Sequence, residues 1–174
     1  MRLVRGMTVD KPIEPTIIER PDQPYAGMRR TITMSSFNEI TDRIPELIVW
    51  LAGKGAEPAG APFLRLNVID MDNRLEVEAG VPVIEDVFTE DPVFGGVLPA
   101  GRYVDYTHLG HPDGLIDATA AVLAWAEREG LSFDQRPSPD GDTWGCRLIV
   151  FLTNPLEQPD ADHWETELLF RLAD

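Results

Sequence analysis

Two tryptophan and glycine pairs mark the ends of two helical runs at one common spacing. Trp50 and Gly55 close the first run, Trp125 and Gly130 the second, and corresponding residues stand 75 apart. A repeat of that length in a chain of 174 residues restricts the fold to two similar halves packed together. The last strand of each half repeats as well. Glu76-Val77-Glu78 matches Glu165-Thr166-Glu167 at a spacing of 89, and the 14-residue surplus falls in the polar run 134–142, expected to be a loop insertion.

Between these markers each half carries the same order of elements. Alternating residues predict strands over 16–19 and 25–32, separated by a Pro-bounded turn, then strands over 63–69 and 74–83. The helix between them opens on Ser36-Phe37-Asn38-Glu39, which has the form of a capping box, and Ile40, Ile44, Leu47, Ile48 and Leu51 recur at helical spacing. Pro45 inside that run predicts a short first turn, a break, and a helix proper with Pro45 at its first position. The second half follows with strands over 93–98 and 102–109, a helix over 113–129, and strands over 146–152 and 164–172. The expected fold is α+β: duplicated β-α-β-β half-domains with pseudo-two-fold symmetry, spanning 16–83 and 93–172. Its antiparallel strands carry two helices on one face and a ligand groove between them. Residues 1–15, with two prolines and no periodicity, read as a loose leader before a domain covering 16–174.

Charge narrows the partners. Fifteen basic residues against thirty acidic ones give a net charge of −15, which opposes phosphate backbone and anionic lipid, so neither nucleic acid nor membrane is expected. The same field concentrates cations. Cys146 is the single cysteine, which excludes an internal disulfide, and no stretch has the length of a membrane span or the apolar core of a signal peptide. These features predict a soluble cytoplasmic protein.

Several segments then resemble, in order and spacing, the GyrI-like small-molecule-binding domain, a family related to the effector-binding domains of AraC- and MerR-type activators. They are Ile18-Glu19-Arg20-Pro21 with Pro24-Tyr25-Ala26-Gly27, Gly60-Ala61-Pro62-Phe63, Glu76 to Val83, Leu98 to Tyr103, Leu152 to Pro155, and Trp164 to Glu167. The likeness covers roughly residues 14–172. It implies an aromatic-lined groove for bulky hydrophobic, often cationic, small molecules, with no cofactor and with Glu167 matching an acidic counter-charge on the last strand. The chain reads as a stand-alone member without a helix-turn-helix. Two further activities follow from the resemblance: hydrolysis of cyclopropane-bearing natural products, with Glu167 as general acid or base and Tyr106 as a hydrogen-bonding hydroxyl, and binding to a gyrase-type protein partner. Where some members carry a carboxylate and a tyrosine, this chain has Ile149 and Phe151, and the family's Gly-Pro-Tyr is replaced by Gly110-His111-Pro112-Asp113-Gly114.

The residues themselves allow two readings of Glu167. Alternation puts Glu165 and Glu167 on one side of the last strand and Trp164, Thr166, Leu168 and Phe170 on the other, the pattern of a solvated acidic face. The resemblance instead makes Glu167 a ligand contact and Glu78 its mate. Tyr103, Tyr106, Trp144 and Trp164 offer aromatic faces to a planar cation, and serve equally as core. Trp50 and Trp125 read as packing. His108, His111 and Asp113 lie at a strand end and turn without metal-ligand spacing, so no metal is expected and His108 is kept as a border of the pocket or a proton donor. Cys146, opening an apolar strand, reads as a buried small hydrophobe.

Overall fold

The computed structural model describes residues 14–70, 72–87 and 89–173. The loose leader read over 1–15 lies outside the described residues except for Glu14 and Pro15. Strands β1 (Thr16–Arg20) and β2 (Gln23–Ile32) lead to α1 (Asn38–Thr41) and α2 (Arg43–Gly53), then β3 (Phe63–Ile69) and β4 (Leu75–Pro82). The second half runs β5 (Phe94–Leu98), β6 (Gly101–Leu109), α3 (Leu115–Arg128), β7 (Gln135–Ser138), β8 (Gly141–Trp144), β9 (Arg147–Phe151) and β10 (Glu165–Arg171). All ten strands join one sheet, whose main path is β1-β6-β10-β9-β3-β4-β2-β5 with antiparallel neighbours throughout. Exchanging β1 with β5, β2 with β6, β3 with β9 and β4 with β10 leaves this order unchanged.

The run expected as a loop insertion is instead a hairpin. β7 and β8 pair with each other, and β8 continues the sheet from β3 through Val68 and Thr143. The Ser138 hydroxyl donates to the Gly141 carbonyl at 2.7 Å and closes the turn. The hairpin lies off the main path of the sheet with Gln135, Arg136 and Pro137 exposed, so its sequence lacks the apolar alternation of a half-buried strand.

The three helices cover the same face. α1 and α2 bury Ile40, Leu47 and Leu51, and α3 buries Ala118, Val122 and Ala126. Beneath them lie Leu64, Val77, Ala79, Val104 and Leu168 in one core cluster and Met28 and Val81 in another. The helical break falls at Asp42, with Pro45 in the first turn of α2, where a missing N–H leaves no intrahelical bond unmade. Ser36 does not cap it. Phe37 is the N-cap without a side-chain bond, the Ser36 hydroxyl oxygen accepts from Thr33 N at 2.8 Å, and Glu39 pairs with Arg30 at 2.9 Å. The turn leaving β2 therefore claims the hydroxyl that a capping box would need. The matched helix ends do behave alike: Gly55 and Gly130 take left-handed φ values of 69° and 71°, which a side chain would resist.

The sheet curls around its other face. Tyr25, Phe63, Leu98, Tyr103, Cys146, Leu148, Val150 and Leu169 form one buried cluster there, joined by Ile18 of β1 and Phe94 of β5. Those last two strands stand at opposite ends of the sheet path, so only a curled sheet brings them onto one cluster. Short links from β1 to β2 and from β5 to β6 tie the two ends together. Among the described residues no helix is long and apolar enough to cross a membrane.

Candidate functional site on the inner face of the curled sheet

Strand parity divides the residues expected to form one site. Glu167 opposes Thr107 on β6 and Val150 on β9, whereas Tyr106 opposes Leu168. Successive side chains on a strand point to opposite faces, so Glu167 lies on the inner face of the curl and Tyr106 on the helix-covered face. The expected arrangement, with Glu167 at the floor of a groove between the helices and Tyr106, Trp144 and Trp164 as its wall, is therefore not what the chain builds. Nor can Glu167 and Tyr106 act on one substrate as a catalytic pair.

The remaining expected residues fall as follows. Tyr103 shares the inner face with Glu167 and is buried. Trp144 is core, packed against Phe133 and Phe170 with ring centroids 5.4 and 5.7 Å away. The Trp164 indole N–H donates to the Gln158 carbonyl at 2.6 Å, which fixes the ring to the preceding loop. His108 joins the helix side, its Nε2 3.1 Å from the His111 carbonyl oxygen, and Asp113 N donates to His111 Nδ1 at 3.0 Å. Ile149 and Phe151 are half-buried on the helix-covered face.

Two rows of side chains cross the inner face. One reads Asp105, Leu169, Leu148, Arg65, Glu78, Arg29, and the other Thr107, Glu167, Val150, Phe63, Gly80, Gly27, Phe94. Apolar side chains lie between the acids: Leu169 and Leu148 in the first row, Val150 and Phe63 in the second. Each row holds one glutamate, and the two occupy corresponding places in the sheet order with different neighbours.

Glu78 is saturated. Tyr25 OH donates to its Oε1, Asn67 Nδ2 donates to Oε2 at 2.6 Å, and Arg29 Nη2 lies 3.4 Å from the same oxygen. Arg65 donates from Nη1 to Tyr25 OH at 3.1 Å and from Nη2 to the Gly145 carbonyl at 2.8 Å. The carboxylate is buried, and a buried charge persists only when it is paired and hydrogen-bonded in this way.

Glu167 has none of these partners. Thr107 and Val150 stand where Glu78 has Arg29 and Arg65. Tyr103 stands where Tyr25 does, but its hydroxyl donates to the Pro99 carbonyl at 2.6 Å. In place of Gly27 comes Asp105, diagonal to Glu167 on the neighbouring strand and on the same face. Burial and then Asp105 push the Glu167 carboxyl up to about 7, with Arg20 pulling the other way. Thr107 and Glu165 beside it are exposed while Leu169 is fully buried, so Glu167 stands at the mouth of an apolar surface.

Displaced titratable groups gather on this face. Burial pushes the Tyr25 hydroxyl up, with the neighbouring Glu78 adding to it; burial also pushes up the Tyr103 hydroxyl and the Cys146 thiol. Two clefts lie apart from Glu167. One of about 560 Å³ is lined by Trp50, Lys54 and Glu90 near the end of α2, and one of about 380 Å³ by Arg29, Asp91 and Phe94. Sequence reasoning missed Asp105, Arg65 and Asn67, because their roles depend on pairing register; Tyr25 was visible only as part of a motif.

Comparison with known proteins bears on this geometry. The GyrI-like small molecule binding domain family matches residues 13–140. No curated protein matches the chain. Among solved structures, the crystal structure of the EcmrR C-terminal domain is 17% identical, with a TM-score of 0.73, covering 93% of this chain and 98% of that one. In the cryo-EM structure of the EcmrR-DNA complex the TM-score is 0.74 at 18% identity over 94% of this chain, which spans only 58% of that protein's chain. SAV2435 bound to tetraphenylphosphonium gives a TM-score of 0.58 at 10% identity, covering 92% of this chain and 94% of that one. A hydrolase from Listeria innocua gives 0.60 at 14% identity, covering 92% of each. At these identities the likeness is one of fold.

Proposed function

Because this chain belongs to the GyrI-like small-molecule-binding domain family, we propose that it binds hydrophobic, aromatic cations at the inner face of its curled sheet, with Glu167 as their counter-charge. The observation that carries this reading is the contrast between the two glutamates: Glu78 is neutralised by arginine, tyrosine and asparagine, while Glu167 faces an apolar surface beside another acid. A carboxylate short of partners gains most from an incoming cation that brings its own apolar surface. The net charge of −15 and the tetraphenylphosphonium bound by SAV2435 support a cationic ligand. The matching of the two halves, read as duplication of one β-α-β-β unit, and a reducing cytoplasmic setting for the unpaired Cys146 belong to the same reading.

Equilibrium dialysis of tetraphenylphosphonium and an uncharged compound of matched size tests it. The cation is expected to bind saturably and more tightly than its neutral counterpart, and Glu167→Gln is expected to lose that preference by about tenfold or more, ~1.4 kcal/mol. An unchanged preference in the variant would remove Glu167 from the site.

A hydrolytic reading is favoured by the place of Glu167 beside Asp105, where burial and that neighbour push its carboxyl up to about 7, the range in which a group gives or takes a proton. Tyr106 has no part in it. Release of a ring-opened product from a reactive cyclopropane-bearing compound is the expected result, and no product at stoichiometric protein would sink this second reading.

A further inference from the structure

Asp105 and Glu167 project from adjacent strands on one face, diagonal across the ladder, because Asp105 opposes Leu169 and Glu167 opposes Thr107. Asp105 Oδ1 is buried and receives no hydrogen bond from any donor among the described residues. An ionised Glu167 only accepts, so it cannot supply the Asp105 carboxyl with a donor; a protonated one carries the O–H that can. Two carboxylates at this range repel when both are ionised, and one shared proton relieves both faults. The charges facing the pair do not replace that proton. Arg20 comes from β1 and forms no ion pair within 4 Å with either acid among the described residues. Arg171, farther along β10, is held by Asp134 at 2.8 Å and by the Ala100 carbonyl. Glu165 adds further negative charge from the same strand, and β9 presents the apolar Leu148 and Val150.

We propose that Asp105 and Glu167 form a single exchange site, which holds one proton when empty and releases it to solvent when a lipophilic cation takes its place. The inference rests on the binding reading above and adds its regulation. The charge of the pair together with its occupant is then the same before and after binding: one proton leaves and one monovalent cation enters. A neutral ligand of the same shape displaces nothing. The protein accordingly holds its cation tightly in alkaline surroundings and lets it go in acid ones.

Calorimetric titration with tetraphenylphosphonium, in two buffers of different ionisation enthalpy, counts the protons released. Close to one per cation is expected at about pH 6, falling toward none at about pH 9, with affinity rising about tenfold per pH unit below neutrality. Asp105→Asn is expected to bind with little pH dependence and to release far less. Cation binding without proton release at either pH overturns the exchange and leaves the binding reading intact. Failure of any cation to bind overturns both. Carboxyl carbon NMR of the ligand-free protein tests the shared proton directly: titration of Glu167 near neutrality, returning toward the ordinary carboxylate range in Asp105→Asn, supports it, and ordinary titration in the wild type overturns it.

Discussion

Phe63 lies across Gly80 on the neighbouring strand, with the end of its ring in the space that a Cβ on Gly80 would need. In the corresponding place of the other half, Leu148 opposes Leu169. One half thus packs a large ring over a bare backbone and the other packs two leucines, two ways of filling similar space at the centre of the inner face.

Gly80→Ala follows as a test of that packing. Phe63 is fully buried and in edge contact with Tyr25 at 5.4 Å between centroids, so its ring has nowhere to retreat. The substitution is expected to destabilise the fold by ~1–3 kcal/mol, the usual cost of overpacking, measured by urea unfolding.

The two glutamates are expected to part company in stability. Glu78→Ala leaves Arg29, Tyr25 and Asn67 without their common partner and is expected to cost ~3–5 kcal/mol, as when one member of a buried pair is removed. Glu167→Gln removes repulsion from Asp105 and is expected to be neutral or stabilising at about pH 8. Equal losses in parallel urea titrations would contradict the assignment of one as structural and the other as free.

The pH dependence has a definite sign. Burial and Asp105 hold the Glu167 carboxyl at about 7, above its ordinary 4.5, so the folded chain binds this proton more readily than the unfolded one. Its contribution is whole below about 4.5 and is lost as pH rises through about 7. Since the group is partly exposed, solvent screening reduces the effect to ~1–2 kcal/mol. The stability of the wild type relative to Glu167→Gln is therefore expected to fall by that amount across this window, with no further change at higher pH.

Cys146 offers a probe of the same face. It is fully buried and burial pushes its thiol up, so a thiol-reactive disulfide reagent is expected to modify it at least about a hundredfold more slowly in the folded protein than in urea. Rapid labelling under native conditions would mean that the inner face opens on its own.

The sequence by itself determined the chain order of the eight strands on the main path of the sheet, the α+β class and the helices on one face. These follow from periodicity, from the glycines that end each helix, and from residues such as Leu47, Leu51, Val122 and Ala126 whose spacing only a helix makes contiguous. It also singled out Glu167 and Cys146. It misread the hairpin of β7 and β8, whose edge position lets polar residues stand in a strand, and the capping role of Ser36, which a preceding turn takes over. Only the tertiary structure decided which residues share a site. Alternation says that Glu167 and Tyr106 each belong to one face of their own strands, but not which faces coincide, and a one-residue change in register would reverse the answer. The pairing of Leu168 with Tyr106 separates those two residues and brings Asp105 to Glu167. The same long-range pairing gives Glu78 its arginines and denies them to Glu167, because register is set by contacts between residues far apart in the chain.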